Sequence, residues 1–359
     1  MTGALRPSLV LPGRVPDDVS ATDRLAELLA VGEHLDSVPG WDGVWVPDSI
    51  LALRFFDSTV LLAALAARTR RIRLGVACLS TLGLRQPLVV AQQWANLDAL
   101  SGGRVTLALC PGNRTGAKHE RERAAFGLGY EEKTARMLDA LAFLRAVSRE
   151  PRLTYRSEFL DLEDIELVPA FRQRPLPVWM VANPTDRATP DGLRRVLGRV
   201  AEHGDGWLTY NVRPDDLRRR VALLGELREE LGRGPADAGD LPVAVQVNLT
   251  VAPTEAEAVA TAREAWATQN TRGIDLDDLR AVSAIGTPEQ CAARLAELHA
   301  AGATHVLLHP LGGDLRTQAG RASAELLPLL GGADGDPDGG SAADLSLPAP
   351  VPTSAWIAR

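Results

Sequence analysis

The sequence predicts an α/β protein closed into a ring of eight parallel strands, a (β/α)8 or TIM barrel, with a small hairpin insertion and a disordered C-terminal tail. Three observations lead there. Short apolar runs alternate with longer segments of helical periodicity along most of the 359 residues. The runs are nearly continuous Val, Leu and Ile, as strands buried on both faces require. Their number is about eight, the count at which such a sheet closes on itself. An open doubly wound sheet shares the first two features and differs in count and closure.

The elements follow in order. SLVL (8–11) is a weak first strand. Leu25, Leu28, Leu29, Val31 and Leu35 recur at helical spacing and predict a helix over 20–38. GVWVPD (43–48) is a strand stopped by Pro47 and Asp48. A helix over 57–69, the strand IRLGVACL (72–79), a helix over 86–100 and the strand VTLALC (105–110) come next. Between the last two, Gly102 and Gly103 suit a left-handed helix end, and Arg104 is expected to be a structural ion-pair partner. The polar stretch 114–130, with Lys118 and His119, reads as a loop: a phosphate clamp, a lid over an acidic substrate, or a solvated surface. A helix over 131–148 carries Glu131 and Glu132 in its first turn, where the helix dipole favours them. Residues 152–168 alternate as a small hairpin would. Strands VWMVA (178–182), GWLT (206–209), VAVQVNLTVA (243–252) and VLLHP (306–310) then interleave with helices over 188–203, 214–231, 254–269, 287–301 and 319–330. Residues 1–330 read as one barrel domain. The Gly-, Asp- and Pro-rich tail 331–359 has too little apolar surface to offset its ordering entropy.

Composition excludes several functions. Net charge is −7 and the arginines are scattered, so neither a nucleic-acid footprint nor a membrane-binding basic patch is expected. No run is long and apolar enough to span a bilayer. Cys78, Cys110 and Cys291 are odd in number, far apart and outside CxxC spacing. That argues against a disulfide framework or thiolate metal cluster and suits a reducing cytoplasm.

In a parallel barrel, chemistry gathers at the carboxyl ends of the strands. Those positions hold Asp48 and Ser49, Cys78 to Ser80, Cys110 to Asn113, Ala182 to Pro184, Asn248 and His309. Paired carboxylates are missing, as are GxSxG, HExxH, Walker A and GxGxxG. His305 and His309 share a strand face, but no further ligand stands nearby in sequence, so no metal is expected. A mouth this poor in ionisable groups, and rich in Gly, Pro and Asn, suits a flat cofactor that brings its own reactivity. Asn113 and Asp48 could meet ring heteroatoms, and Gly112 would let the backbone approach. The same residues equally suit a plain βα turn.

GWDGVWVPDSI (40–50) resembles the G-F-D-S-V-W-V-x-D-H segment of the luciferase-like flavin oxidoreductases, a family that includes F420-dependent reductases and dehydrogenases. Residues 69–113 resemble that family's central signature, including Arg85 and Pro87 and the turn from Leu97 to Arg104. GDGW (204–207) and residues 286–308 match later segments, so the similarity runs over roughly residues 20–330. The resemblance implies an isoalloxazine-type ring at the mouth of a (β/α)8 barrel. It places Cys110, Pro111, Gly112 and Asn113 beside the ring, Ala77 and Cys78 against it, and Ala182 and Asn183 at the ribityl or phosphate end. Thr185 or Arg187 would supply the phosphate grip, since Pro184 has no N–H. Asp48, Ser49 and Asn113 are the candidate catalytic residues. Ser49 stands where many relatives have His, and a hydroxyl is a poor general acid near neutral pH.

The implied activity is that of a monooxygenase using reduced FMN and O2 on a small organic substrate, with a separate flavin reductase as partner and a homodimer as the assembly. F420-dependent hydride transfer on the same barrel is the alternative. A non-catalytic flavin-binding or degenerate partner subunit is the third reading.

Overall fold

The structure, a computed structural model, describes residues 3–184, 188–233, 241–269 and 275–331. Its elements run β1 (Arg6–Val10), α1 (Ala21–Ser37), β2 (Gly43–Val46), α2 (Ser58–Arg68), β3 (Arg73–Leu79), α3 (Pro87–Ser101) and β4 (Val105–Leu109). Then come α4 (Ala117–Ala125), α5 (Tyr130–Arg149), β5 (Arg152–Arg156), β6 (Asp161–Glu166), β7 (Val178–Val181), α6 (Pro190–His203), β8 (Gly206–Tyr210) and α7 (Pro214–Glu230). The last are β9 (Val243–Val251), α8 (Glu255–Gln269), α9 (Leu276–Arg280), β10 (Ala284–Gly286), α10 (Pro288–Ala300), β11 (His305–Pro310) and α11 (Leu315–Arg321).

Eight strands close the barrel in the order β1-β2-β3-β4-β7-β8-β9-β11, with β11 returning to β1 and every ladder parallel. The open-sheet alternative is thereby excluded. The predicted hairpin is β5–β6, antiparallel and packed on α5 through Tyr155 against Phe143. Helix starts are set by their caps: Ser20 for α1, Asp57 for α2, Thr189 for α6, and a reciprocal Thr287–Gln290 capping box for α10. After α11 the chain stays coiled through Ala322–Leu326 and Leu327–Leu330. The tail beyond Gly331 lies outside the described residues. No helix among the described residues is long and apolar enough to cross a membrane.

Alternation along each strand sends one set of side chains out to the helices and the other into the barrel. The inward set forms its own cluster: Val10, Trp45, Ala108, Trp179, Leu208, Ala244 and Leu307. Trp45 and Trp179 lie 5.1 Å apart and fill the middle. Each faces a glycine on the next strand, Trp45 opposite Gly75 and Trp179 opposite Gly206. A Cβ at either glycine would overlap the indole. Below them His305 packs edge-on against Trp179 and bonds Thr304.

Four expectations change. First, the stretch read as a loop at 114–130 contains α4; its sequence AKHERERAA lacks an apolar stripe, so periodicity could not reveal it. Second, β10 adds a short strand beside the end of β9. Third, Cys78 and Cys110 are joined in a disulfide although 32 residues separate them. The βαβ crossover through α3 makes β3 and β4 neighbours, and linear spacing does not register that. Only Cys291 is a free cysteine. Fourth, Arg104 has no salt bridge within 4 Å among the described residues and binds carbonyls instead. Its guanidinium donates to the carbonyls of Ile72 (2.6 Å) and Thr69 (3.0 Å) and to Thr69 Oγ1 (3.1 Å), locking the amino-end face behind the Gly102–Gly103 turn.

Candidate active site at the barrel mouth

The inward positions at the carboxyl ends of the strands are half-buried, while their outward neighbours are sealed. Pro47, Ala77, Cys78, Cys110, Val181, Tyr210, Gln246, Asn248 and His309 form this ring. Above the indole layer the interior is therefore open. None of these side chains is charged at neutral pH. His309 is held neutral by burial alone, which lowers its pKa to about 4. Asn248 Nδ2 reaches Asn211 Oδ1 (3.3 Å) and Ser283 Oγ (3.4 Å). Gln246 and Asn248 face Leu307 and His309 across the β9–β11 ladder.

The loop after β2 is held from beneath and from above. Asp48 is fully enclosed and accepts from Ser58 Oγ (2.9 Å), Thr81 N (3.1 Å), Thr81 Oγ1 (2.6 Å) and Arg85 Nη2 (3.1 Å). Burial raises its pKa, and Arg85, Thr81 and Ser58 oppose that rise. Arg85 also pairs with Asp57, so the Arg-x-Pro segment ties β2 to the starts of α2 and α3. Ser49 Oγ donates to Glu122 Oε1 (3.0 Å) and accepts from Leu53 N (2.9 Å). The same Glu122 oxygen accepts from the amides of Ile50 (2.8 Å), Leu51 (2.8 Å) and Ala52 (3.0 Å). Burial pushes Glu122 up, but these amides and Ser49 outweigh it, and its pKa is below the usual carboxylate value. Both Asp48 and Ser49 thus spend their polar groups inside the protein.

After β4, Pro111 is buried and Gly112 turns with φ 76°. A Cβ at Gly112 would meet Lys133 Nζ at 3.1 Å and Ser80 Cβ at 3.6 Å. Glycine is needed here because the turn is left-handed and rests on a buried ammonium. Lys133 has its pKa lowered by burial, against which the charges of Glu122 and Asp48 act. Asn113 is exposed; its amide Nδ2 meets His119 Nε2 (2.9 Å) on α4, and its carbonyl accepts from Arg123 (2.9 Å). Arg123 and Arg114 both lie over the Tyr130 ring.

After β7, Ala182 O accepts from Trp207 Nε1 (2.9 Å) and Asn183 Oδ1 from Thr209 Oγ1 (2.9 Å). Pro184 is buried. Thr185 and Arg187 lie outside the described residues.

Three residues of this region went unremarked in the sequence: Glu122, Lys133 and Gln246. The first two act through tertiary contacts that no local pattern announces. Gln246 is a polar interruption of an apolar strand, the kind of signal that marks an inward position. His305 and His309 do share a face but stand at opposite ends of the interior, and no group of three or more potential metal ligands exists among the described residues. A separate cleft of about 410 Å³, with Arg195, Arg199, His203 and Glu230 in its lining, lies on the outer helices α6 and α7 rather than at the strand ends.

The family model for luciferase-like monooxygenases matches residues 6–305. The chain belongs to this family. Its relatives differ in cofactor. An F420-dependent glucose-6-phosphate dehydrogenase of Kineococcus radiotolerans is 26% identical over 336 residues, covering 86% of this chain and 94% of the relative. Among solved structures, an F420-dependent secondary alcohol dehydrogenase bound to an F420–acetone adduct superposes with a TM-score of 0.73 at 16% identity, over 91% of this chain and 99% of that one. The oxygenating constituent of 3,6-diketocamphane monooxygenase from Pseudomonas putida, bound to FMN, gives 0.70 at 15% identity, over 90% and 99%. At such identities the two structures establish the fold. The luciferase-like family is one of oxidoreductases and monooxygenases, and the three proteins named here work with F420 or are bound to FMN.

Proposed function

We propose that the chain is a redox enzyme whose mouth holds a flavin-type ring, with coenzyme F420 as the first reading and FMN as the second. The ring of neutral, half-buried inward side chains carries the proposal. Such a surface can meet a flat, amide-edged heterocycle without burying an unpaired charge. F420 is placed first because the relative aligned along nearly its whole length is an F420-dependent dehydrogenase. When bound, the ring supplies hydride chemistry, or oxygen-activating chemistry in the FMN case.

The chain's own residues bind, orient and exclude water. Ala77, Cys78 and Cys110 form one wall. Tyr210, Gln246 and Asn248 offer hydrogen bonds on the other side. His309, neutral across the physiological range, is the group we place at the substrate's hydroxyl or carbonyl oxygen, to which its imidazole can hydrogen-bond. Asp48 and Ser49 position the loop. Helix α4 and the loop at 49–53 are joined by Glu122. A reductase partner is required only by the FMN reading.

Parallel titration with FMN, reduced FMN and F420 tests the proposal. Saturable binding of F420, followed by its reduction when secondary alcohols or sugar phosphates are added, supports the first reading. Tight binding of reduced FMN with substrate-dependent O2 uptake transfers support to the second. Absence of binding by all three removes both.

A further inference from the structure

We propose that Cys78 and Cys110 form a reversible two-electron redox site in the wall of the mouth, reducible by the cofactor held there, a reduced flavin or 5-deazaflavin. The inference rests on the function proposed above for its electron source.

Position carries the inference. The disulfide joins the ends of two neighbouring strands, with Cα atoms 6.1 Å apart, inside the span such bonds need. Cys78 packs against the inward cluster together with Ala77, and both cysteines are half-buried at the open end of the barrel. Cys291 is the contrast. It is sealed in the outer core, its Sγ near the carbonyls of Thr250 and Gly286, and burial pushes its thiol up to about 12. One cysteine is inert and two face the reaction space.

A lysine stands by the turn that follows Cys110. Gly112 lies two residues past Cys110, and a Cβ there would meet Lys133 Nζ at 3.1 Å and Ser80 Cβ at 3.6 Å. A cation by the turn that follows Cys110 favours the thiolate that appears when the disulfide is opened. Its charge is buffered by Glu122 and Asp48, the same carboxylates that hold the loop after β2.

The electron balance closes. The S–S bond breaks on accepting two electrons and one proton from the reduced cofactor, leaving a thiol and a thiolate; a proton from solvent completes the second thiol. The cofactor leaves oxidised. The reverse step is exchange with a low-molecular-weight disulfide, which takes the two electrons and departs as two thiols.

The test uses the full chain purified without reductant. Alkylation after denaturation should label one cysteine, and three after treatment with dithiothreitol; three labels from the start would overturn the proposal. Under anaerobic conditions, reduced FMN or reduced F420 should raise the count from one to three, with one equivalent of cofactor oxidised per chain at a rate that saturates. Cys78→Ser and Cys110→Ser should each abolish that oxidation, with circular dichroism confirming the fold. Binding of oxidised cofactor in a parallel titration, without any gain of thiols, overturns this inference alone. Absence of binding overturns it together with the function on which it rests.

Discussion

The two ends of the barrel interior are built from the same strands and the same alternation, yet one is solid and the other open. At the amino end and middle, Trp45 and Trp179 fill the space left by Gly75 and Gly206, and His305 closes the layer beneath. At the carboxyl end the inward residues are Ala, Cys, Val, Pro, Tyr and amides, and they stay half-exposed. The two histidines of β11 mark the contrast. Both are neutral, with pKa values lowered by burial to about 3 for His305 and about 4 for His309. His305 is wedged against an indole, whereas His309 stands at the rim of an open space. Bulk at one end supplies rigidity; its absence at the other leaves room for a ligand.

The comparison breaks most visibly at the plug. Trp179→Ala should lower stability by about 3–5 kcal/mol, as large-to-small changes in a packed core do, measured by chemical denaturation. A smaller loss, below about 1 kcal/mol, would mean that the indole layer is not the structural end.

Next comes pH. A histidine whose folded pKa lies below its unfolded value opposes protonation. Its stabilisation is complete above about pH 6.5 and is lost as pH falls toward the folded value. For His309 that window runs from about 6.5 to about 4, with a loss on the order of 2 kcal/mol. In His309→Gln the stability–pH curve should be flatter across the window, and an unchanged curve would place His309 in a wetter site than described.

Glu122→Gln should cost about 1–2 kcal/mol by weakening charge-assisted bonds to three amides and Ser49. Because the Glu122 pKa is depressed, the wild-type advantage is full above about pH 4.5 and disappears as pH falls through the lower folded value. Hydrogen exchange at residues 50–52 should quicken in the variant. The smallest stability change belongs to Asn248→Ala, expected within about 0.5 kcal/mol. That variant should nevertheless bind cofactor about three- to tenfold more weakly, the worth of one hydrogen bond.

Much of this contrast was legible in the amino acids. Apolar runs such as VWMV and VLLH announced their strands, and the count of βα units announced closure. The plug was not legible. Gly75 and Gly206 are small because an indole from the adjacent strand lies over them, and register across a ladder is not written in either strand alone. Helix α4 escaped for the opposite reason, since it docks through the buried groups Glu122 and Arg123 rather than an apolar stripe. The cysteine pair was visible as two strand ends at one ring, but its bond depends on the adjacency of β3 and β4. Asp48 and Ser49 were visible as residues at the mouth. That their polar atoms turn to Arg85, Thr81 and Glu122 required the third dimension.

A fluorescence titration of the native chain with F420 and with FMN, run beside Asn248→Ala, puts the open end to its most direct test. Saturable binding that weakens about three- to tenfold in the variant, with melting temperature unchanged, is the expected result. Binding of equal strength in both proteins, or no saturable signal with either cofactor, would contradict a ring seated among the inward side chains of the mouth.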